Sequence, residues 1–285
     1  MDLLVRLIDL ALAEDLAAAG DVTTAALVPP DVRGRGELWA KEKMVLAGSG
    51  AFAKVFQRVD PEVKVRFSRR DGDVVGPRQK VAELSGPLAS LLRAERTALN
   101  LIQRTSGIAT LSRQAVDRVR GTGLRILDTR KTSPGMRALS KDAVRAGGAQ
   151  NHRFGLFDGV LIKDNHIAAV GGSVKEALRR AKRHAHRLLK VEIEVTSLKM
   201  LEEAIEEGAD VVMLDNMDDE QIRRAVELAG GRVELEVSGG VTLDRLPKLA
   251  KLGVGSVSLG ALTHSARAMD LSLEILTAPA RRKRR

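Results

Sequence analysis

The residues best equipped for chemistry crowd into one stretch, Asp128 to His166, which reads DTRKTSPGMRALSKDAVRAGGAQNHRFGLFDGVLIKDNH. It carries Arg130, Lys131, Arg137, Lys141, Arg145, Arg153 and Lys163, together with the imidazoles His152 and His166. Short apolar runs, LRIL before Asp128 and GVLI before Lys163, read as buried parallel strands. In barrels and doubly wound sheets, the residues just past such strands face the ligand. Several cations and two imidazoles are therefore expected to converge on one mouth, a setting for a small, multiply anionic substrate. His152, beside Arg153, is expected to stay neutral and to donate hydrogen bonds, because a nearby cation disfavours its protonated form.

Further strand ends supply the complementary groups: Glu192 and Glu194, then Asp215-Asn216, Ser238-Gly239-Gly240 and Leu259-Gly260-Ala261. Glu194 and Asp215 are hard oxygen ligands, and Mg²⁺ commonly takes one or two carboxylates plus substrate phosphate and water. For Glu192 and Glu194, which share one face of a strand by period-two spacing, the alternative is that they neutralise Lys190 or the cations of the site. The two glycine-containing loops after the last strands match the phosphate-binding device of β/α barrels, where backbone N–H groups meet the anion. There is no cysteine and no GxSxG elbow, and the five histidines show no metal-ligand spacing. The site thus has cations, a phosphate cradle and metal-type carboxylates, but no nucleophile. That combination suits a transfer whose transition state needs charge stabilisation rather than covalent catalysis, with a phosphorylated sugar donor and an anionic acceptor.

The elements that must position these residues fall into two styles. Residues 2 to 16 space Leu4, Leu7, Ile8, Ala11 and Leu12 as an amphipathic helix. Segments 36 to 47, 62 to 68 and 73 to 84 read as strands, with a turn at Gly48. Pro87 opens a helix, which Gly107 is expected to interrupt, with a second helix running to about Arg120. Residues 1–108 thus form an N-terminal α+β sandwich domain. After Gly121, apolar runs at 124–127, 159–162, 191–195, 211–214, 233–237 and 256–259 alternate with helices capped at Ser173, Ser197 and Asp218. Strand–helix alternation means parallel strands, here in an open, incomplete α/β barrel over 109–265. No GxGxxG follows any strand, which counts against a dinucleotide fold.

Composition narrows the partners. Aromatic residues make up 2% of the 285 residues, with no tyrosine, which argues against stacking platforms for single-stranded nucleic acid. The terminal RRKRR carries half of the net charge of +10 and reads as a solvated end. Neither a secretory h-region nor an apolar run of about 18 residues is present, so a cytoplasmic protein with no membrane or nucleic-acid partner is expected.

The segments AEDLAAAGDVTT, AERTALNLIQRTSGIAT, DTRKTSPGMR, AGGAQNHRFGL, DGVLIKDNH, VMLDN, LEVSGG and LGALTHSARAMDLSL resemble those of the carboxylating nicotinate-nucleotide pyrophosphorylases, the quinolinate phosphoribosyltransferases. The resemblance spans about residues 13 to 273. It implies transfer of a phosphoribosyl group from phosphoribosyl diphosphate to quinolinate with loss of CO₂, and Mg²⁺ as cofactor. It also implies a homodimer or larger homo-oligomer, and a chain end at 266–285 that packs back on the N-terminal domain. By motif, Thr129, Arg130 and Lys131 (DTRKT), His152 and Arg153 (NHR) and Lys163 (IKDNH) would form the quinolinate pocket, and Arg96 (ERTALN) would reach a neighbouring subunit's site. Glu194 and Asp215 would hold Mg²⁺ and ribose hydroxyls. Ser238, Gly239, Gly240, Leu259, Gly260 and Ala261 would take a phosphate. A relative on the same scaffold with a different anionic acceptor is the alternative; the intact DTRKT, NHR and IKDNH set speaks against it.

Overall fold

A computed structural model describes residues 3–277; the RRKRR tail lies outside them. Helices α1 (Leu3–Leu16) and α2 (Val22–Leu27) lead into strands β1 (Arg33–Ala40) and β2 (Met44–Val45). Helix α3 (Ser49–Val59), strands β3 (Lys64–Phe67), β4 (Val74–Val75) and β5 (Gln79–Pro87), and the long helix α4 (Leu88–Arg118) follow. Next come β6 (Arg125–Leu127), α5 (Arg137–Ala146), β7 (Val160–Ile162), α6 (Asp164–Ala169), α7 (Val174–His184), β8 (Val191–Val195) and α8 (Leu198–Glu206). The chain closes with β9 (Val211–Asp215), α9 (Asp219–Ala229), β10 (Glu234–Ser238), α10 (Leu246–Leu252), β11 (Ser256–Ser258), α11 (Ala261–His264) and β12 (Leu271–Thr277).

The chain divides into two compact units. Among the described residues, the first holds those up to Leu111, Thr132–Gly148 and Ser265–Thr277; the second holds Ser112–Lys131 and Ala149–His264. The stretch expected to form the barrel, 109–265, is thus interrupted: Thr132–Gly148, with α5, groups with the first unit.

In the first unit an antiparallel sheet runs β12-β1-β5-β3. The returning strand β12 pairs with β1 over Gly34 to Ala40, so Leu271 and Leu273 share the buried face with Leu38, Leu84, Phe52 and Phe56. Helix α3 went unread in the sequence. It starts after Gly48 at φ +91° with no side-chain cap, so the usual N-cap signal is missing. Its apolar face is nonetheless clear in Ala51, Phe52, Val55 and Phe56, all buried, and the rings of Phe52 and Phe56 lie 5.1 Å apart.

Helix α4 is continuous over 31 residues, against the expected break at Gly107. A β-carbon built at Gly107 would lie 1.8 Å from the carbonyl oxygen of Arg267. Glycine is there because another segment of backbone passes close by, not because the helix ends.

The second unit is a six-stranded parallel sheet of order β6-β11-β10-β9-β8-β7. In chain order the strands follow one another round the barrel, and the last strand pairs back with the first. The gap lies between β6 and β7, so the barrel is open. A single bridge, Leu127 to Gln150, lays the 150–153 segment beside β6. The expected caps are present: Ser173 accepts from the Glu176 N–H, Ser197 from that of Met200, and Asp218 forms a capping box with Gln221. Pro247 sits in the first turn of α10, where its missing N–H costs nothing.

Candidate active site

All six strands of the barrel point their C-terminal ends the same way, which gathers the strand-end residues. Thr129, Arg130, Lys131, His152, Arg153, Lys163 and Ser238 line one cavity of about 320 Å³, with Leu161, Met213 and Ser258. Seven of the residues singled out in the sequence therefore share one space. Leu161, Met213 and Ser258 were not singled out. They are barrel-strand residues, and only the curvature of the sheet decides which of them reach the mouth.

The placement of the NHR segment is over-determined. Asp128, fully buried at the end of β6, accepts the His152 backbone N–H through Oδ1 at 2.8 Å. His152 Nδ1 in turn accepts the backbone N–H of Arg153 at 2.8 Å. Its Nε2 lies 2.9 Å from Glu192 Oε2. The ring therefore faces the protein on both nitrogens, and the hydrogen bond it donates goes to Glu192. Nδ1 is an acceptor, so the single proton of the neutral imidazole resides on Nε2.

Arg153 donates to the Gly159 carbonyl at 2.9 Å. Its pKa is pushed down first by burial and next by the neighbouring Arg130, with Glu192 opposing. Two guanidiniums held together in this way favour an anion between them. The buried Nε of Arg130 has no hydrogen-bond partner. Lys163 Nζ pairs with Glu194 Oε2 at 2.5 Å, so Glu194 is a countercharge to a site cation as the structure stands. Asp215, at the end of the adjacent β9, accepts from the Asn216 amide at 2.7 Å.

The loops after β10 and β11 are shaped by close approach. Gly239 has φ +88°, and a β-carbon there would lie 2.3 Å from Asn216 Oδ1, so only glycine fits. A β-carbon on Gly260 would lie 3.0 Å from Lys131 Cδ and 3.1 Å from His264 Nε2. Leu259 N–H donates to the Leu127 carbonyl at 2.9 Å, and Ala261 opens α11. Arg96 belongs to the first unit and is not among the residues that line this cavity. It is exposed on α4 and lines a separate cleft of about 190 Å³ with Glu14, Asp15 and Asn100.

An open parallel barrel with cations at its strand ends and glycine loops after its last two strands defines a barrel protein built to bind a small polyanion. The family follows from comparison. The quinolinate phosphoribosyl transferase C-terminal domain matches residues 108–274 and the N-terminal domain of the same family matches residues 21–106. The chain belongs to the quinolinate phosphoribosyltransferase family. It is 43% identical over 259 residues to the Bacillus subtilis protein named "Probable nicotinate-nucleotide pyrophosphorylase [carboxylating]", covering 90% of this chain and 89% of that one. It is also 43% identical over 291 residues to the chloroplastic nicotinate-nucleotide pyrophosphorylase [carboxylating] of Arabidopsis thaliana, covering 95% and 82%. The crystal structure of NadC from Streptococcus pyogenes superimposes with a TM-score of 0.92 at 40% identity, covering 97% of each chain.

Proposed function

We propose that the protein transfers the phosphoribosyl group of phosphoribosyl diphosphate to quinolinate, releasing diphosphate and CO₂ and leaving nicotinate mononucleotide. The observation that carries this reading is the gathering of Arg130, Lys131, Arg153 and Lys163 around one cavity, in a chain of this family. Arg130, Arg153 and Lys163 hold the two carboxylates of the pyridine diacid and aim its ring nitrogen at the ribose carbon. Lys131 reaches toward the sugar donor, and the backbone of Ser238–Gly240 and Leu259–Ala261 takes a phosphate. His152, with both ring nitrogens turned to the protein, shapes the pocket rather than bonding the diacid.

As the bond between the ribose carbon and diphosphate breaks, that carbon becomes oxocarbenium-like and the ring nitrogen bonds to it. The nitrogen is now cationic. The adjacent carboxylate leaves as CO₂, its carbon–carbon electron pair passes into the ring, and the ring carbon takes a proton from water. Glu194 and Asp215, oxygen donors at neighbouring strand ends, fit a Mg²⁺ ion in donor type and would hold it once Glu194 leaves Lys163. Mg²⁺, when bound, neutralises charge on the diphosphate.

The working unit in this reading is a homodimer or larger homo-oligomer in which Arg96 completes a neighbouring subunit's site. Its support is the ERTALN motif, whose Arg96 is exposed on α4. Among the described residues no helix is long and apolar enough to cross a membrane. Similarity to a bacterial relative supports a cytoplasmic location, although the plant relative is named as chloroplastic.

The test is direct. Quinolinate and phosphoribosyl diphosphate with Mg²⁺ should yield nicotinate mononucleotide and CO₂ in equal amounts. Turnover of nicotinate in place of quinolinate, with no CO₂ released, would overturn the decarboxylating reading.

A further inference from the structure

Behind His152 lies a pair of buried acids that the reaction as described does not use. Glu192 on β8 is 8% exposed and Glu236 on β10 is 2% exposed. Glu192 Oε2 is 2.9 Å from His152 Nε2, and Glu236 Oε1 is 3.8 Å from the same nitrogen. Glu192 Oε1 and Glu236 Oε1 are buried without a hydrogen-bond partner. One ligand atom from each of His152, Glu192 and Glu236 lies within 4.8 Å of the other two, a donor set that would suit a divalent cation. The imidazole rejects that role. Its Nδ1 already accepts the Arg153 N–H, so its proton resides on Nε2, the atom a metal would need bare.

We propose that Glu192, backed by Glu236, is a positioning residue for the diacid pocket: it holds the His152 ring through Nε2–H, and the ring holds the Arg153 main chain. The chain of contacts is short and complete. Glu192 accepts from Nε2–H, Nδ1 accepts from Arg153 N–H, and the Arg153 guanidinium is braced at its far end by the Gly159 carbonyl. Charge supports the same assignment. Glu192 opposes the burial and the Arg130 repulsion that push Arg153 down. Two carboxylates this close and this buried do not both ionise. Burial, then Glu192, push Glu236 up to about 7.

The proposal rests on Arg153 as a quinolinate clamp, and the experiment separates the two. In the full-length protein labelled with ¹⁵N-histidine, NMR should find His152 as the neutral Nε2–H tautomer. Calorimetry with quinolinate alone should show Glu192→Leu weakening binding by on the order of 10²-fold, the effect of a displaced positioning group. The KM for phosphoribosyl diphosphate should stay unchanged. Glu192→Gln, which keeps an acceptor, should preserve both tautomer and affinity, a rescue that a purely structural role does not predict. An Nδ1–H tautomer in the wild-type protein would overturn the proposal whether or not Glu192→Leu folds. So would a folded Glu192→Leu with unaltered quinolinate affinity while Arg153→Ala loses it. If Arg153→Ala itself binds quinolinate normally, the clamp reading is what fails.

Discussion

Lys163 Nζ and Glu194 Oε2 form an ion pair at the ends of adjacent barrel strands. Both residues have a second task in the proposed reaction, one toward the diacid and one toward the metal. In that reading the pair masks both partners until ligands arrive. Glu194 is the more enclosed of the two, 14% against 45% exposed, so Lys163 is the partner freer to swing away.

Removing the acid should split binding from turnover. Glu194→Gln frees Lys163 and removes a negative charge beside the cavity, so quinolinate should bind more tightly without Mg²⁺. Turnover should fall by on the order of 10²-fold, the usual scale for losing one charge-stabilising group. Calorimetry without metal and steady-state kinetics across Mg²⁺ concentration check the two halves. Weaker quinolinate binding in the variant would contradict the masking role.

The guanidiniums should matter through chemistry and not through folding. Arg130→Ala and Arg153→Ala should each lose about 3 kcal/mol of transition-state stabilisation, read in kcat/KM for quinolinate. Urea midpoints should move little for Arg130, whose buried Nε has no internal partner to lose. Near-normal turnover in Arg130→Ala would remove it from the pocket.

If sites are shared between subunits, inactive variants should complement one another. Arg96→Ala mixed with Arg130→Ala, after subunit exchange, should recover part of the activity that each lacks alone. No recovery would mean that Arg96 acts within its own chain.

Gly107 should not tolerate a methyl group. Alanine there would press on the Arg267 carbonyl and should cost about 1–3 kcal/mol through overpacking, outweighing a helix-propensity gain of up to about 1 kcal/mol. A lower urea midpoint with unchanged m-value is the expected record.

Glu236 should make stability fall as pH rises through neutrality. Its folded-state pKa is raised from 4.5 to about 7 by burial first and then by Glu192. The folded protein therefore binds more protons than the unfolded chain between these values. Its contribution is fully present below about 4.5 and is lost as pH rises through about 7, by on the order of 3 kcal/mol. Glu236→Gln should flatten that part of the stability profile. An unchanged slope would show that Glu236 is ionised in the folded protein.

Much of this architecture was readable before any coordinates. Six apolar runs alternating with capped helices specify a parallel barrel, because strand and helix periodicities are local patterns carried by neighbouring residues. The same holds for Arg130, Lys131 and Lys163: a charged residue just past a buried strand must emerge at the barrel mouth. Pairings over long sequence distances were not readable. Gly107 reads as a helix breaker until Arg267 is seen against it, and Thr132–Gly148 reads as barrel until it is found in the other unit. Glu236 lies two residues before Ser238 in plain view, yet its burial against Glu192 and His152 depends on how strands β8 and β10 curve in space. The His152 tautomer is a tertiary fact for the same reason: Nδ1 meets the next residue, but the Nε2 partner, Glu192, comes from another strand.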